Sequence, residues 1–249
     1  KNQIDDMVQS AYHYLKEITL NKSIKSFRSG SWSIQNCPQL FESLEKVGIK
    51  MDTSIVDGLY YDGGSINLDY RNVESPYLPY YPNYNDARTV SKTKTEIVEI
   101  PTQSVKKNTF NKFNMYRNKV GNFLQKIKNR KILKSKINDF PTWIDDDPFG
   151  FKSGKAIEPF IIDFSSNHQK FFWKKILKVC IDRFSNEDKN YFVVFENHSK
   201  DLQTNDSFQK IKSNLDFLLN YDNKIKFVTL DFMAKNLHLI DIIKKKNES

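Results

Sequence analysis

The sequence has few cysteines and no long apolar run. Cys37 and Cys180 are its only cysteines; two are too few for a disulfide framework or a zinc ribbon, so we expect plain buried thiols. No stretch approaches the roughly 18 consecutive apolar residues of a membrane-spanning helix. The first residues, KNQIDDMVQS, carry acids where a signal peptide needs an apolar core. They also begin without Met, and we expect them to lie inside a longer gene product or to follow a removed segment.

Acidic residues are missing from 106–136. This segment holds eleven of the 39 basic residues and none of the 30 acids, so the net charge of +9 is local to it. Six apolar residues recur there at helical spacing and predict an amphipathic helix with a cationic outer face. It is either a solvated surface helix or a contact for an anionic membrane surface or acidic glycan. No nucleic-acid-binding signature accompanies it, so we expect no nucleic-acid partner. The six residues are Phe113, Tyr116, Val120, Phe123, Leu124 and Ile127.

Strands and helices are predicted to alternate along most of the chain, which favours one parallel β/α domain over 1–249, as a barrel or an open sheet. Residues 57–95 interrupt this rhythm with a Tyr- and Pro-rich sequence that we expect to be a long ordered loop with little regular structure. No Gly-rich phosphate loop is present, which disfavours a nucleotide-binding protein. The predicted helices cover 4–18, 38–47, 172–180 and 206–220, and the predicted strands 24–28, 49–56, 95–101, 159–164, 191–196 and 225–230.

Four polar or ionisable residues lie at the ends of predicted strands. Arg28 ends the first strand, Asp52 lies late in the second, and Glu99 ends the third. His198 follows YFVVFE by two residues. Because functional groups of parallel β/α folds gather at the carboxyl ends of strands, we expect Arg28, Asp52 and His198 to converge on one cleft.

Six stretches follow one another along the chain: FRSGSWSIQ, VGIKMDTSIVDG, the tyrosine-rich loop, EIP, VVFENHSK and KFVTL. Together they resemble the distal part of a polysaccharide deacetylase of the NodB-homology type, closest to the branch found with bacterial surface-polysaccharide genes. The resemblance covers about residues 10–235 and implies a distorted (β/α) barrel that lacks its first strands in this chain. It implies a metal-dependent hydrolase that removes N-acetyl groups from an amino sugar or surface polysaccharide, with zinc as the expected metal.

The resemblance also implies roles for individual residues. Arg28 would hold the catalytic aspartate of the family, and Asp52 would orient the imidazole of His198. His198 would then protonate the departing amine, which leaves poorly without a nearby acid. Asp57 is a second candidate for the role of Asp52, because the usual Asp-Trp pairing of that motif is absent.

Substrate binding would fall to aromatic and acidic residues near these groups. Trp32 would wall the sugar groove, with Tyr60, Tyr61 and Glu99 as further contacts. Each of the seven site residues also has a structural interpretation. In that interpretation the arginine forms a surface ion pair, the histidine and the aspartate cap backbone groups, and the aromatic residues pack in the core. None of them would then take part in catalysis or binding.

The sequence departs from the family at its metal-binding motifs. Asp5 and Asp6 precede a helix rather than ending a strand, and the four histidines form no His-x-x-x-His pair. A catalytic metal needs about three protein ligands, so we expect no catalytic metal on this chain alone. The chain is either the carboxyl-side portion of a longer enzyme or a non-catalytic relative that binds a glycan or an anionic surface.

Overall fold

The computed structural model is a mixed α/β protein. It describes residues 2–20, 22–35, 37–63, 66–133, 155–164, 170–184, 189–197, 205–221, 225–243 and 245. His198 and residues 134–136 of the basic segment lie outside these ranges.

The described helices follow the predicted periodicity closely. Pro38 lies in the first turn of its helix, where the missing N–H costs no hydrogen bond. Gly48 follows that helix with a φ of +83°, a left-handed conformation that favours glycine at a helix end. The α-helices are α1 (Asn2–Ile18), α2 (Pro38–Lys46), α3 (Lys112–Leu133), α4 (Lys170–Asp182), α5 (Asn205–Tyr221) and α6 (Leu230–Lys235).

The described strands are short and form several small sheets. They are β1 (Ser26–Phe27), β2 (Met51–Asp52), β3 (Tyr60–Gly63), β4 (Ile66–Asp69), β5 (Pro82–Asn83), β6 (Asp86–Val90), β7 (Val98–Glu99), β8 (Ser104–Val105), β9 (Lys155–Ile157) and β10 (Phe160–Ile161). β1, β2 and β7 form a parallel sheet in that order. The antiparallel sheets are β4-β3-β9, β5-β6 and β8-β10.

The predicted α/β class is confirmed. Helix α2 connects the parallel strands β1 and β2, as a β/α unit requires. Within the described ranges, the strands form these separate sheets and no closed barrel. No helix in the same ranges is long and apolar enough to cross a membrane.

Three clusters of buried apolar side chains form the core. The first joins α2 to the loop strands and contains Phe41 and Tyr80, both fully buried. The second is aromatic and surrounds α4, where the ring of Phe172 lies 5.2 Å from that of Phe160 and 5.0 Å from that of Phe110. The third is smaller and packs Met51 with Ile100. Phe27 of the parallel sheet packs against the first cluster, and Met51 and Val98 of the same sheet belong to the third. The sheet is therefore packed between these two clusters.

Residues 57–95 are more regular than the sequence predicted. They contain β3 to β6, paired as two hairpins. The turn between β5 and β6 is closed by the side chain of Asn83, which accepts a hydrogen bond from the backbone N–H of Asn85 at 3.0 Å. The tyrosines and prolines of this stretch therefore mark short strands and turns rather than an irregular loop.

Two predicted strands are absent or reduced. Residues 225–230 form no strand, because the Thr229 hydroxyl accepts the N–H of Phe232 at 3.1 Å and starts α6 at Leu230. Residues 191–196 contribute only two isolated parallel bridges, Thr102 with Val194 and Asp163 with Glu196. These bridges still bring Glu196 beside the parallel strands.

The two cysteines differ in exposure. Cys180 is fully buried in the second core cluster, as predicted, and burial raises the pKa of its thiol to about 12. Cys37 lies immediately before α2 and is half-buried. The expectation of a buried thiol is therefore confirmed for Cys180 alone.

Helix α3 exposes the face that the sequence predicted to be inside. Its six apolar stripe residues are 38% to 69% exposed. The helix instead packs through Met115, which contacts the second core cluster, and through Asn118, which is 6% exposed. Asn114 on the same side accepts a hydrogen bond from the ammonium of Lys175 at 2.9 Å. A largely polar face therefore holds the helix, which leaves the apolar face in solvent.

Candidate functional site

The register of the parallel sheet brings three of the predicted site residues together. Phe27 of β1 pairs with Asp52 of β2, and Asp52 pairs with Glu99 of β7. Residues paired across neighbouring strands lie on the same side of a sheet. Arg28 follows Phe27 directly. Arg28, Asp52 and Glu99 therefore lie at one carboxyl edge.

The guanidinium of Arg28 is held by two threonines, Thr53 directly after β2 and Thr102 three residues after β7. Its Nε donates to the carbonyl oxygen of Thr53 at 3.3 Å and to the hydroxyl of the same residue at 3.1 Å. Its Nη2 donates to the hydroxyl of Thr102 at 2.6 Å. Thr102 in turn donates to the carbonyl oxygen of Thr53 at 3.0 Å. This network fixes the guanidinium, while 30% of the side chain stays exposed.

Asp52 and Glu99 form a buried carboxyl pair, and both residues are 0% exposed. Ser54 donates its hydroxyl to Oδ1 of Asp52 at 2.6 Å, and the N–H of Ile55 donates to Oε1 of Glu99 at 3.1 Å. The other two oxygens, Oδ2 of Asp52 and Oε2 of Glu99, accept no N–H or O–H group from the described part of the chain. A single proton shared between the two carboxyl groups would satisfy both oxygens.

The electrostatics place that proton on Glu99. Burial raises the pKa of Glu99 well above its ordinary value, and the charge of Asp52 and the hydrogen bond with it raise it further. Burial also raises the pKa of Asp52, but the hydrogen bonds from Glu99 and Ser54 oppose this shift. Within the pair, these shifts favour Glu99 as the donor of the shared hydrogen bond and Asp52 as its acceptor.

Glu196 reaches the same edge and was missed by the sequence reasoning. Its Oε2 lies 3.9 Å from Nη1 of Arg28, and only 7% of its side chain is exposed. The parallel bridge between Thr102 and Val194 brings this part of the chain alongside. The available signal was a charged residue directly after the apolar run of 191–195. His198 comes two residues after Glu196 and lies outside the described residues, so its convergence with Arg28 stays a prediction.

Asp57, the second candidate for the role of Asp52, lies in a different environment. It is 2% exposed, and its Oδ2 is 3.1 Å from the ammonium of Lys106. Its cationic partner is therefore Lys106, whereas Arg28 lies 3.9 Å from Glu196, and its charge lowers the pKa of Asp52.

The three predicted aromatic contacts are packed in other ways. Trp32 is half-buried against the first core cluster, and its carbonyl oxygen accepts the hydroxyl of Tyr70 at 2.6 Å. Tyr60 lies on β3, in a sheet other than the β1-β2-β7 sheet, and the guanidinium of Arg71 covers its ring at 4.0 Å. Tyr61, on the same strand, is 6% exposed within the core. Substrate binding by these residues and by the fully buried Glu99 stays a prediction.

The polar cluster does not fit a divalent metal. Asp52, Glu99 and Glu196 supply carboxyl oxygens, but Arg28 already contributes the positive charge, and burial favours the protonated form of Glu99. Among the residues with described positions, no group of three or more His, Cys, Asp or Glu is placed to hold a metal ion. We derive no chemical step through a metal from these residues.

The cluster can instead hold and orient charge. It combines one partly exposed cation with two buried carboxyl groups whose pKa values are both raised, and paired carboxyl groups of this kind are found in acid–base sites. Comparison with known proteins adds no relative: no family model, no curated protein and no solved structure matches this chain significantly.

Proposed function

We propose that this chain is the carboxyl-side portion of a metal-dependent hydrolase that removes N-acetyl groups from an amino sugar or surface polysaccharide. One observation carries the proposal: Arg28, Asp52 and Glu99 lie together at the carboxyl edge of a parallel sheet. Ligands of β/α folds bind at such an edge because the connecting loops meet there. We further propose that the sheet belongs to a distorted (β/α) barrel, with the metal ligands supplied by sequence other than these 249 residues.

In this proposal Asp52 positions the chemistry from below the accessible surface, because it is 0% exposed. Arg28 is partly exposed and fixed by Thr53 and Thr102, so it presents a rigid positive charge to a neighbouring carboxylate. A charge held in place before the reaction needs no reorganisation as the transition state forms.

His198 is the proposed general acid. Glu196, two residues earlier, lies beside Arg28, which supports a position for the following residues near the same edge. Hydrolysis requires a water molecule to add to the amide carbonyl carbon. An imidazolium at the departing nitrogen would then donate its proton as the C–N bond breaks, so that the free amine leaves instead of an amide anion. The oxygen of the added water stays in the acetate, and the free amino sugar is the other product.

The test is acetate release from N-acetylglucosamine oligosaccharides by the protein expressed from the whole open reading frame that encodes this chain, with zinc added. We expect release, and a turnover lowered about 10²- to 10⁴-fold by His198→Ala. His13→Ala, on an exposed position of α1, is the matched control and should leave turnover unchanged. Retained turnover in His198→Ala would contradict the assigned role. Glycan binding without any acetate release would favour a non-catalytic relative.

A further inference from the structure

Helix α3 carries an apolar stripe that the fold leaves uncovered. Phe113, Tyr116 and Phe123 are 69%, 68% and 63% exposed, and Leu124 and Ile127 are 59% and 45% exposed. Their spacing of three, four and seven residues places them along one side of the helix. Large exposed aromatic side chains in a continuous row mark an interaction surface rather than ordinary surface scatter.

Cations accompany the stripe. Lys112, Arg117 and Lys119 are exposed on the same helix. The sequence of 112–133 contains seven Lys and Arg and no Asp or Glu. A partner that binds this face of α3 should therefore provide both an apolar environment for the stripe and negative charge for the lysines and arginines.

We propose that α3 binds the surface of an anionic phospholipid bilayer, lying in the plane of the interface with its apolar stripe inserted among the lipids. A helix with apolar aromatic residues on one side and lysines and arginines around them fits this binding mode. The phosphate groups and anionic headgroups would attract the cations while the acyl chains take up the stripe. This inference does not depend on the proposed hydrolase activity.

Other occupants fit the surface less well. A second copy of α3 would bring two helices without acids into contact, and their like charges would repel. Nucleic acid or an acidic glycan would satisfy the cations, but it would leave five strongly exposed apolar side chains without a matching surface.

The way α3 is held leaves the stripe available. Its described contacts with the rest of the protein include Met115, Asn118, the hydrogen bond between Asn114 and Lys175, and the guanidinium of Arg117, which lies 4.2 Å from the ring of Phe171. The stripe residues lie on another side of the helix, so insertion into a lipid surface would not require α3 to detach.

The experiment is co-sedimentation of the 249-residue chain with vesicles. We expect binding to vesicles of phosphatidylcholine mixed with phosphatidylserine, weak binding to pure phosphatidylcholine, and release at about 0.5 M salt, where charges are screened within a few ångströms. Phe113→Ser combined with Phe123→Ser should weaken binding at least about tenfold, because it removes two inserted rings. Lys112→Glu combined with Lys119→Glu, both at exposed positions, should abolish the preference for anionic vesicles.

Helix α5 offers a matched control. Its Phe208 and Leu219 are 58% and 49% exposed, but its sequence balances two lysines with two aspartates. Phe208→Ser combined with Leu219→Ser should therefore leave vesicle binding unchanged. Circular dichroism confirms that each variant is folded, and the charge reversal on α3 tests the proposal without altering any apolar side chain. Absent binding, equal binding to neutral vesicles, or loss of binding in the α5 variant would overturn the proposal. A concentration-dependent dimer that Phe113→Ser and Phe123→Ser dissolve, without vesicle binding, would also overturn it.

Discussion

At the carboxyl edge of the β1-β2-β7 sheet, charged side chains lie inside the protein, whereas on α3 apolar side chains lie outside it. The buried carboxyl groups of Asp52 and Glu99 are accompanied by hydrogen bonds from Ser54 and Ile55 and by the nearby charge of Arg28. The exposed rings of α3 need no such partners, because an apolar side chain can remain on the surface of a folded protein. We therefore expect the buried carboxyl groups to affect the stability of the fold strongly and the exposed rings to affect it little.

The largest effect expected at the sheet edge follows from Arg28→Ala. The substitution leaves the hydroxyl of Thr102 without its cationic donor and Glu196 without the nearby positive charge. Hydrogen bonds to charged groups contribute about 1.5–3 kcal/mol each, so we expect the free energy of unfolding to fall by about 3 kcal/mol in urea denaturation. Lys119→Ala, at an exposed position of α3, is the control and should cost less than about 0.5 kcal/mol. Equal losses of unfolding free energy in the two variants would show that the sheet edge is no more important for stability than the surface of α3.

A smaller effect concerns the pH dependence of stability through Glu99. Its pKa is raised in the folded state, so the folded protein binds more protons than the unfolded chain above the ordinary value near 4.5. The stabilisation is complete below that value and is lost as pH rises toward the folded pKa. Glu99→Gln retains an acceptor for Ile55 and a donor for Asp52 but cannot ionise. We expect its stability relative to the wild type to increase with pH, by on the order of 1 kcal/mol between about pH 5 and pH 8. A parallel pH dependence in the two proteins would show that Glu99 is ionised.

An exposed ion pair provides the third comparison. Arg71 donates two hydrogen bonds to Asp69 at 2.8 and 2.6 Å, and they lower the pKa of Asp69 to about 2. Solvent screens this pair, so Asp69→Asn should cost only about 0.5 kcal/mol. The lowered pKa gives a contribution that is present above the ordinary value of 3.8 and lost as pH falls through about 2. The melting temperatures of the wild type and of Asp69→Asn should therefore converge as the pH falls. A difference in melting temperature that grows at low pH would contradict this prediction.

The smallest effect is expected on α3. Phe113→Ser combined with Phe123→Ser removes rings that are already 69% and 63% exposed. We expect the free energy of unfolding to change by less than about 0.5 kcal/mol per residue. Phe172→Ala, in the second core cluster, should cost about 3–5 kcal/mol in the same urea measurement. A large loss in the α3 variant would show that its stripe is covered in the folded protein.

Much of the local structure was predictable from the sequence. Helices α1, α2, α4 and α5 follow their apolar periodicity, and the strand-end rule brought Arg28 together with Asp52 and Glu99. These features depend on neighbouring residues or on a general property of parallel sheets.

The remaining features depend on contacts distant along the chain. The exposure of the apolar stripe on α3 was not predicted, because periodicity identifies an apolar face but cannot tell which face of the helix the second core cluster accepts. The hydrogen bonds of Thr102 and the position of Glu196 likewise arise from strand pairing across long separations, which spacing in the sequence does not encode.

The central claim is that the sheet edge holds a protonated Glu99 beside Asp52. Infrared spectroscopy measures this directly through the carbonyl stretching band of an uncharged carboxylic acid. We expect such a band in the wild-type protein at neutral pH and its loss in Glu99→Gln. Glu96→Gln is the matched control, because Glu96 is exposed and a hydrogen bond from Lys50 lowers its pKa. An absent band in the wild type, or a band that Glu99→Gln leaves unchanged, would contradict the claim.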